Sequence, residues 1–365
     1  MTAGTTRGIA VFGGGSLARH LCYSLATATD PPPGKVTVLA RSPQAAAEIA
    51  AISNTRASIS ASPTRFAAEV LDATDRERTA RLLERIRPRA VVNCASLQSP
   101  WEGNRFPSAW TALLTEGGFG IGLPLHAVVA REVAGAVELS GLPTLFVNAS
   151  YPDAVNPLLY SEGLPVLCGV GNAATLSASL RAALGPWTTG QRLRLLAHHL
   201  HLHAPADPAD ELRAWLDDRP VQRVGELLTA QRSCSRAELN ALTGHAAAAF
   251  VTRLAADQDI RADVPGPLGL PGGYPVRVHG GRIALDLPAG LTQDEAVAWQ
   301  MRMSEQDGVV VRPDGEVRFG EQARKALAAH LPDLPERHET GSMRELARRL
   351  LNLREQLSGR APLSA

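Results

Sequence analysis

The sequence predicts an α/β fold, with an N-terminal doubly wound parallel sheet over residues 1–150 and an α+β domain over residues 151–365. Three observations lead to this reading. In the first half, short apolar runs alternate with segments of helical period, the rhythm of βαβ units. A glycine-rich turn, Gly13-Gly14-Gly15-Ser16-Leu17-Ala18, joins the first apolar run to the first helical one. After Pro208 the pattern changes to capped helices and hairpins.

Residues 8–12 read as the first strand and 16–28 as the helix behind it; 35–40 and 43–52 repeat the unit, as do 68–71 and 76–86. Asp30 and three prolines ending at Gly34 form a rigid turn between the first helix and the second strand. Residues 90–94 are the fourth strand. The stretch 97–122 is irregular and ends in the glycine run 117–122, a candidate mobile flap over a bound ligand that glycine content alone does not establish. Pro124 opens a helix running to about 140, and 144–147 is the fifth strand. Residues 192–203 alternate as a strand. Ser235 with Glu238, Thr292 with Glu295 and Ser342 with Glu345 match capping boxes. Hairpins are expected over 276–285, around Gly280-Gly281, and over 309–319, around Asp314-Gly315. The last helix, 342–357, gathers Met343, Leu346, Ala347, Leu350 and Leu357 near one face, to pack on the first domain or on a second subunit, as in a homodimer.

A chain of 365 residues is long enough for two domains, and 45% hydrophobic with 20% charged residues excludes wholesale disorder. Thirty-seven Lys plus Arg against 36 Asp plus Glu leave a net charge of +1, so nothing points to nucleic acid or an anionic membrane as partner. A small molecule is the expected partner. Lys35 and Lys325 are the only lysines, which leaves few candidates for a Lys base or Schiff base. Cys22, Cys94, Cys168 and Cys234 are far apart and form no Cys-x-x-Cys pair, against a zinc ribbon or a disulfide framework. With no secretory pattern at the start of the sequence, a cytoplasmic location is expected.

The glycine turn satisfies G-x-G-x-x-G/A between a strand and a helix, the context in which that pattern binds dinucleotides. Gly13 allows the tight turn, Gly14 and Gly15 keep the loop bare so that backbone can approach a pyrophosphate, and Ala18 lets helix pack on strand. Ser16 and Leu17 open the helix whose N-terminus receives the phosphate charge. At the end of the second strand stand Arg41 and Ser42 instead of an acidic residue, which favours the 2′-phosphate of NADP(H). Asp72 after the third strand, and Ala95 and Ser96 after the fourth, fall where the adenine and nicotinamide-ribose edges would lie.

Gly13 to Ala18, Leu71 to Asp75 and Val91 to Ala95 together resemble the Rossmann domain of saccharopine-dehydrogenase-like and short-chain-dehydrogenase-like proteins. Phe146 to Asp153 and Val166 to Asn172 resemble the lactate/malate-dehydrogenase-like group, in which a strand ends in an Asn-containing turn that touches nicotinamide and substrate. That resemblance implies such a role for Asn148, and a substrate-clamping role for Arg105 in the loop after the fourth strand. The chain departs from that group between Asn172 and Leu180, where no acidic partner for a catalytic histidine is evident. It departs from short-chain dehydrogenases in having no Tyr-x-x-x-Lys.

His198, His199, His201 and His203 lie in the alternating segment, which as a strand would place His199, His201 and His203 on one face. His199 is the expected proton donor, since imidazole is suited to acid–base work near neutrality. The alternatives are a metal site on the shared face and a polar face at a domain junction. Tyr274, in the turn-rich stretch 268–275, is a candidate substrate contact. The expected function is an NADPH-dependent oxidoreductase reducing C=O or C=N in a small carboxylate-bearing or amino-acid-derived molecule. Its rivals are a metal-dependent enzyme and a non-catalytic NADP(H)-binding regulator.

Overall fold

In the computed structural model, residues 8–99 and 107–359 are described. Six parallel strands form the main sheet in the order β3-β2-β1-β4-β5-β6, the order of the doubly wound dinucleotide fold. They are β1 (Ile9–Phe12), β2 (Lys35–Ala40), β3 (Arg65–Val70), β4 (Ala90–Asn93), β5 (Leu145–Asn148) and β6 (Cys168–Gly169). β1 and β4 are buried along their whole length and β2 along all but its first residue, because helices cover both faces. α1 (Ser16–Thr27), α2 (Pro43–Ile59) and α3 (Arg76–Ile86) follow the first three strands.

α2 runs a further two turns past residue 52, and it carries Asn54 to the edge strand. There the Asn54 amide donates to Phe66 O and its oxygen accepts from Phe66 N, both at 2.9 Å. β3 starts at Arg65 and not at residue 68, since the ladder begins with Lys35 opposite Arg65.

α4 (Ala109–Gly117) precedes a 3-10 turn, Phe119–Gly122, and then α5 (Leu123–Leu139). The apolar stretch Phe119–Leu139 is long enough to cross a membrane, but nearly all of it is buried within the fold. The glycine run is not a free flap: Gly117, Gly120 and Gly122 are buried, and Gly118 and Gly120 press on backbone at residues 307–309. α6 (Pro152–Ser161) and α7 (Asn172–Leu184) follow β5 and β6.

The remaining strands form three small antiparallel sheets. β7 (Leu193–Leu196), β8 (Arg213–Leu216) and β9 (Arg219–Pro220) form one, and β10 (Ile260–Pro265), β11 (Gly273–His279) and β12 (Arg282–Leu285) another. Ala197 and Gly273 bridge these two through reciprocal backbone hydrogen bonds. β13 (Val309–Val311), β14 (Val317–Phe319) and β15 (Arg337–His338) form the third. Both expected hairpins are present, as β11–β12 and β13–β14.

α8 (Arg236–Ala255) lies against α1, where Gly244 allows contact with His20 and Leu21. α9 (Gln293–Asp307) has the full capping box of Thr292 and Glu295, and Ser235 caps α8 through Glu238 N. Ser342 does not cap; its hydroxyl donates to Glu339 O instead. After α10 (Glu321–Ala328), α11 (Met343–Ser358) buries Met343, Leu346, Ala347, Leu350 and Leu357 in the apolar core that holds α5.

The histidine segment departs from expectation. The strand ends at Leu196, and His199–Leu202 is a 3-10 turn closed by His201 Nδ1, which accepts from His198 N at 2.7 Å. Period two is lost, so His199, His201 and His203 do not share a face.

Candidate active site

The site is built on the carboxyl edge of the main sheet. Gly13 leaves β1 with φ of 126°, and a Cβ there would meet the Cys94 backbone at 3.1 Å, so the turns after β1 and β4 touch. Gly15 faces open space. α1 then begins without a side-chain cap, and its first intrahelical donor is Arg19 N to Gly15 O. The amides of Ser16, Leu17 and Ala18 are therefore available at the positive end of a helix, which fits a pyrophosphate. Ala18 is fully buried in the core shared by helix and sheet, and Ser16 Oγ accepts from Asn240 Nδ2 at 2.6 Å.

Around this turn the remaining expected nucleotide contacts are arranged unevenly. Arg41 is exposed after β2 and close enough to act on the charge of Asp72. Ser42 Oγ is engaged as the cap of α2, accepting from Ala45 N. Asp72 accepts from the amide and hydroxyl of Thr74, which hold its carboxyl below the usual range, with Arg41 adding to the effect. Ala95 N donates to Asn93 Oδ1, and Ser96 Oγ donates to Gln98 O.

Asn93 and Asn148 end β4 and β5, and both are fully buried. Asn93 Nδ2 donates to Asn148 Oδ1 at 3.1 Å, and Asn148 Nδ2 donates to Ser150 O and Asn156 Oδ1. Ser150 N returns a bond to Asn148 Oδ1, and Asn156 Nδ2 reaches Gly266 O. The Asn148 amide is thus satisfied by protein, and what it does in this structure is shape the turn after β5.

That turn presents Tyr151 at φ of 46°, a left-handed conformation unusual for a bulky residue and held by the surrounding bonds. Tyr151 OH donates to Asp307 Oδ2 at 2.7 Å, and His199 Nδ1 lies 3.3 Å from Asp307 Oδ1. His198 Nδ1 is 3.7 Å from Asp307 Oδ2, too long for a hydrogen bond, while its Nε2 meets Ser304 Oγ at 3.2 Å. Asp153 accepts from His199 N and from Asn172 Nδ2. The ring of Phe119 lies flat on His199, centroids 4.2 Å apart, and meets Tyr151 edge-on at 4.7 Å. His126, near the start of α5, pairs through Nδ1 with Ser150 Oγ at 3.0 Å.

Burial opposes ionisation of Asp307, but His199, His198 and the Tyr151 hydroxyl outweigh it and lower the carboxyl to about 2. Burial alone would lower His199; the carboxylates of Asp307 and Asp153 reverse this and raise it above the usual histidine value. Burial, assisted by the charge of His199, lowers His126 to about 4. Burial and the adjacent Asp307 raise the Tyr151 phenol. At neutral pH the centre therefore holds an ionised carboxylate, a neutral His126 and a His199 biased toward its cation. Asp307 is 5% exposed and His199 27%, so the imidazole, not the carboxylate, is open to a substrate. The arrangement can deliver one proton at the sheet edge that also carries the glycine turn.

Other expected residues lie elsewhere. His201 is buried, stacked on Trp299 at 5.4 Å, with Nε2 bonded to Asp210 O. His203 is exposed and contacts Arg236. The three histidines thus have separate partners, and no metal-holding group of three or more His, Cys, Asp or Glu occurs among the described residues. Tyr274 is fully buried among Leu196, Ala296, Trp299 and Met303, so its ring is closed off from a substrate in this structure. Arg105 lies outside the described residues.

Asp307 was not singled out in the sequence; it is the last residue of α9, which Gly308 ends with φ of 100°. Phe119 and His126 carry no local signal of chemistry. Tyr151 and Asp153 stand within the motif after β5, but nothing in that motif assigns them a role.

No family model matches the chain, and no curated protein matches it in sequence. Solved structures do match its fold. Malate dehydrogenase from Picrophilus torridus in its apo form superposes with a TM-score of 0.56 at 12% identity, covering 95% of this chain and 98% of that one. Lactate dehydrogenase from Cryptosporidium parvum, complexed with lactic acid and nicotinamide adenine dinucleotide, gives 0.52 at 14% identity, covering 83% and 96%. Malate dehydrogenase from the same organism gives 0.51 at 14%, covering 82% and 96%. The chain shares the Rossmann-type α/β fold of these lactate and malate dehydrogenases.

Proposed function

We propose that this protein is an oxidoreductase that uses NADPH to reduce the C=O or C=N bond of a small carboxylate-bearing or amino-acid-derived molecule. The observation that carries the reading is the His199–Asp307 pair, set at the same sheet edge as the uncapped glycine turn that opens α1. The dehydrogenases that share the fold support it. The nicotinamide, when bound, supplies the hydride.

The chain supplies position and a proton. The amides at Ser16 to Ala18 hold the pyrophosphate, and Arg41 takes the 2′-phosphate. Asp307 fixes the His199 ring through Nδ1 and favours its protonated form, leaving Nε2 to donate to the oxygen or nitrogen of the substrate as the adjacent carbon is reduced. Phe119 and Tyr151 cover part of the imidazole and leave the rest open to the substrate. Arg105 is the proposed partner of the substrate carboxylate.

Titration of the protein with NADPH and NADH, read by tryptophan quenching or calorimetry, tests the nucleotide assignment, with Arg41→Asp as control. NADPH binding weakened selectively in the variant, together with turnover of a 2-oxo acid or imine that His199→Ala abolishes, supports the reading. Absence of binding to both nucleotides overturns it. NADPH binding with no turnover on any acceptor points to the regulator instead.

A further inference from the structure

Phe119 owes its position to the same turn that carries Asp307. A Cβ on Gly118 would stand 2.9 Å from Asp307 O, and one on Gly120 would stand 2.5 Å from Gly308 C. The backbone on both sides of Phe119 therefore lies directly on the end of α9, a closeness that only glycine permits. From there the phenyl ring covers the face of His199 at 4.2 Å and 26°, while Asp307 holds the ring edge at Nδ1. The opposing contacts of Phe119 are His126, 5.3 Å away, and the edge of Tyr151.

We propose that Phe119 is a positioning residue for His199: its ring face fixes the imidazole against Asp307 and favours the imidazolium over the neutral ring by a cation–π contact. This rests on the oxidoreductase reading for its purpose, since a proton donor must stay charged until hydride arrives, but not for its test. Among the described residues, the charged and titratable groups facing His199 are Asp307 from α9, Asp153 and Tyr151 from the start of α6, His126 from α5, Arg236 from the start of α8, and His203 from its own segment. Phe119 touches the face of the ring and carries neither a charge nor a titratable proton of its own.

The test is an NMR titration of the histidine ring protons in the full chain without nucleotide, His199 being assigned with His199→Ala. Phe119→Leu keeps an apolar side chain of similar bulk and removes the π face; the His199 midpoint is expected to fall by about half a pH unit. Phe119→Trp is expected to restore it. An unchanged midpoint in the folded Leu variant overturns the proposal, as does an equal fall in the Trp variant. Should the Leu variant not fold, Phe119→Met carries the same comparison. Because the midpoint is read without turnover, it distinguishes failure of this inference from failure of the proposed reaction.

Discussion

Asp307 lies 3.3 Å from His199 Nδ1 although 108 residues of chain separate them, and it also accepts from the Tyr151 hydroxyl. One buried carboxylate thus orients a histidine and closes the turn after β5.

Asp307→Asn keeps the size of the side chain and removes its charge. If His199 is the proton donor, turnover is expected to fall by roughly 10² to 10⁴, and the His199 midpoint to drop. Asp307 ionises near 2 when folded, so its contribution is present above the unfolded value near 4 and is lost as pH falls toward 2. On that shift the variant is expected to lose about 2 kcal/mol at neutral pH. Denaturant unfolding at pH 7 measures it, and an unchanged stability would remove Asp307 from this role.

Stability is expected to fall in mild acid. His126 and His201 titrate near 4 in the folded chain, so between about pH 6.5 and 4 the unfolded chain binds protons that the folded one refuses. Each group can contribute on the order of 3 kcal/mol across that window. His199 acts in the opposite sense: its contribution is complete below the unfolded value and is lost as pH rises through its raised folded value. The denaturation midpoint should therefore decline from pH 7 to pH 4, and less steeply in His201→Phe, which keeps a ring on Trp299 but has no proton to gain. A flat profile would contradict the burial of these rings as the controlling term.

Gly15→Ala separates folding from nucleotide binding. Gly15 has an ordinary negative φ and nothing within 4 Å of its would-be Cβ, so stability should stay within about 0.5 kcal/mol of wild type. A methyl group at the mouth of the anion site should nonetheless weaken NADPH binding by about tenfold or more. Equal affinity in a calorimetric titration would place the pyrophosphate elsewhere.

Gly120→Ala is expected to do the reverse. Its Cβ would stand 2.5 Å from Gly308 C and 2.6 Å from Val309 N, both backbone, so the 3-10 turn must separate from α9. A loss of about 1–3 kcal/mol is expected, with turnover falling as Phe119 and Asp307 move apart. Thermal unfolding alongside kinetics checks both; wild-type behaviour in each would show that the contact is dispensable.

Local patterns were enough to predict the first five strands of the sheet and the glycine turn after the first, while β6, only two residues long, was not read as a strand. Strand β2 and helix α3 begin and end where the apolar run and the helical period place them, and the turn at Gly13 to Ala18 shows in its own glycines, because strands, helices and tight turns are decided largely by residues a few positions apart. His199 was legible as a candidate proton donor by residue type alone. Its surroundings were not. The alternating run from Arg192 promised a strand through His203, but the Ala197–Gly273 bridge and the bond from His198 N to His201 turn the chain after Leu196. The partner of His199 comes from the end of α9, its stacking ring from the turn before α5, and the seating of both depends on glycines that, in the sequence, resemble a loose flap. Those choices belong to tertiary structure because a carboxylate becomes a partner only where packing excludes water and brings it within hydrogen-bond reach. No spacing along the chain encodes that distance.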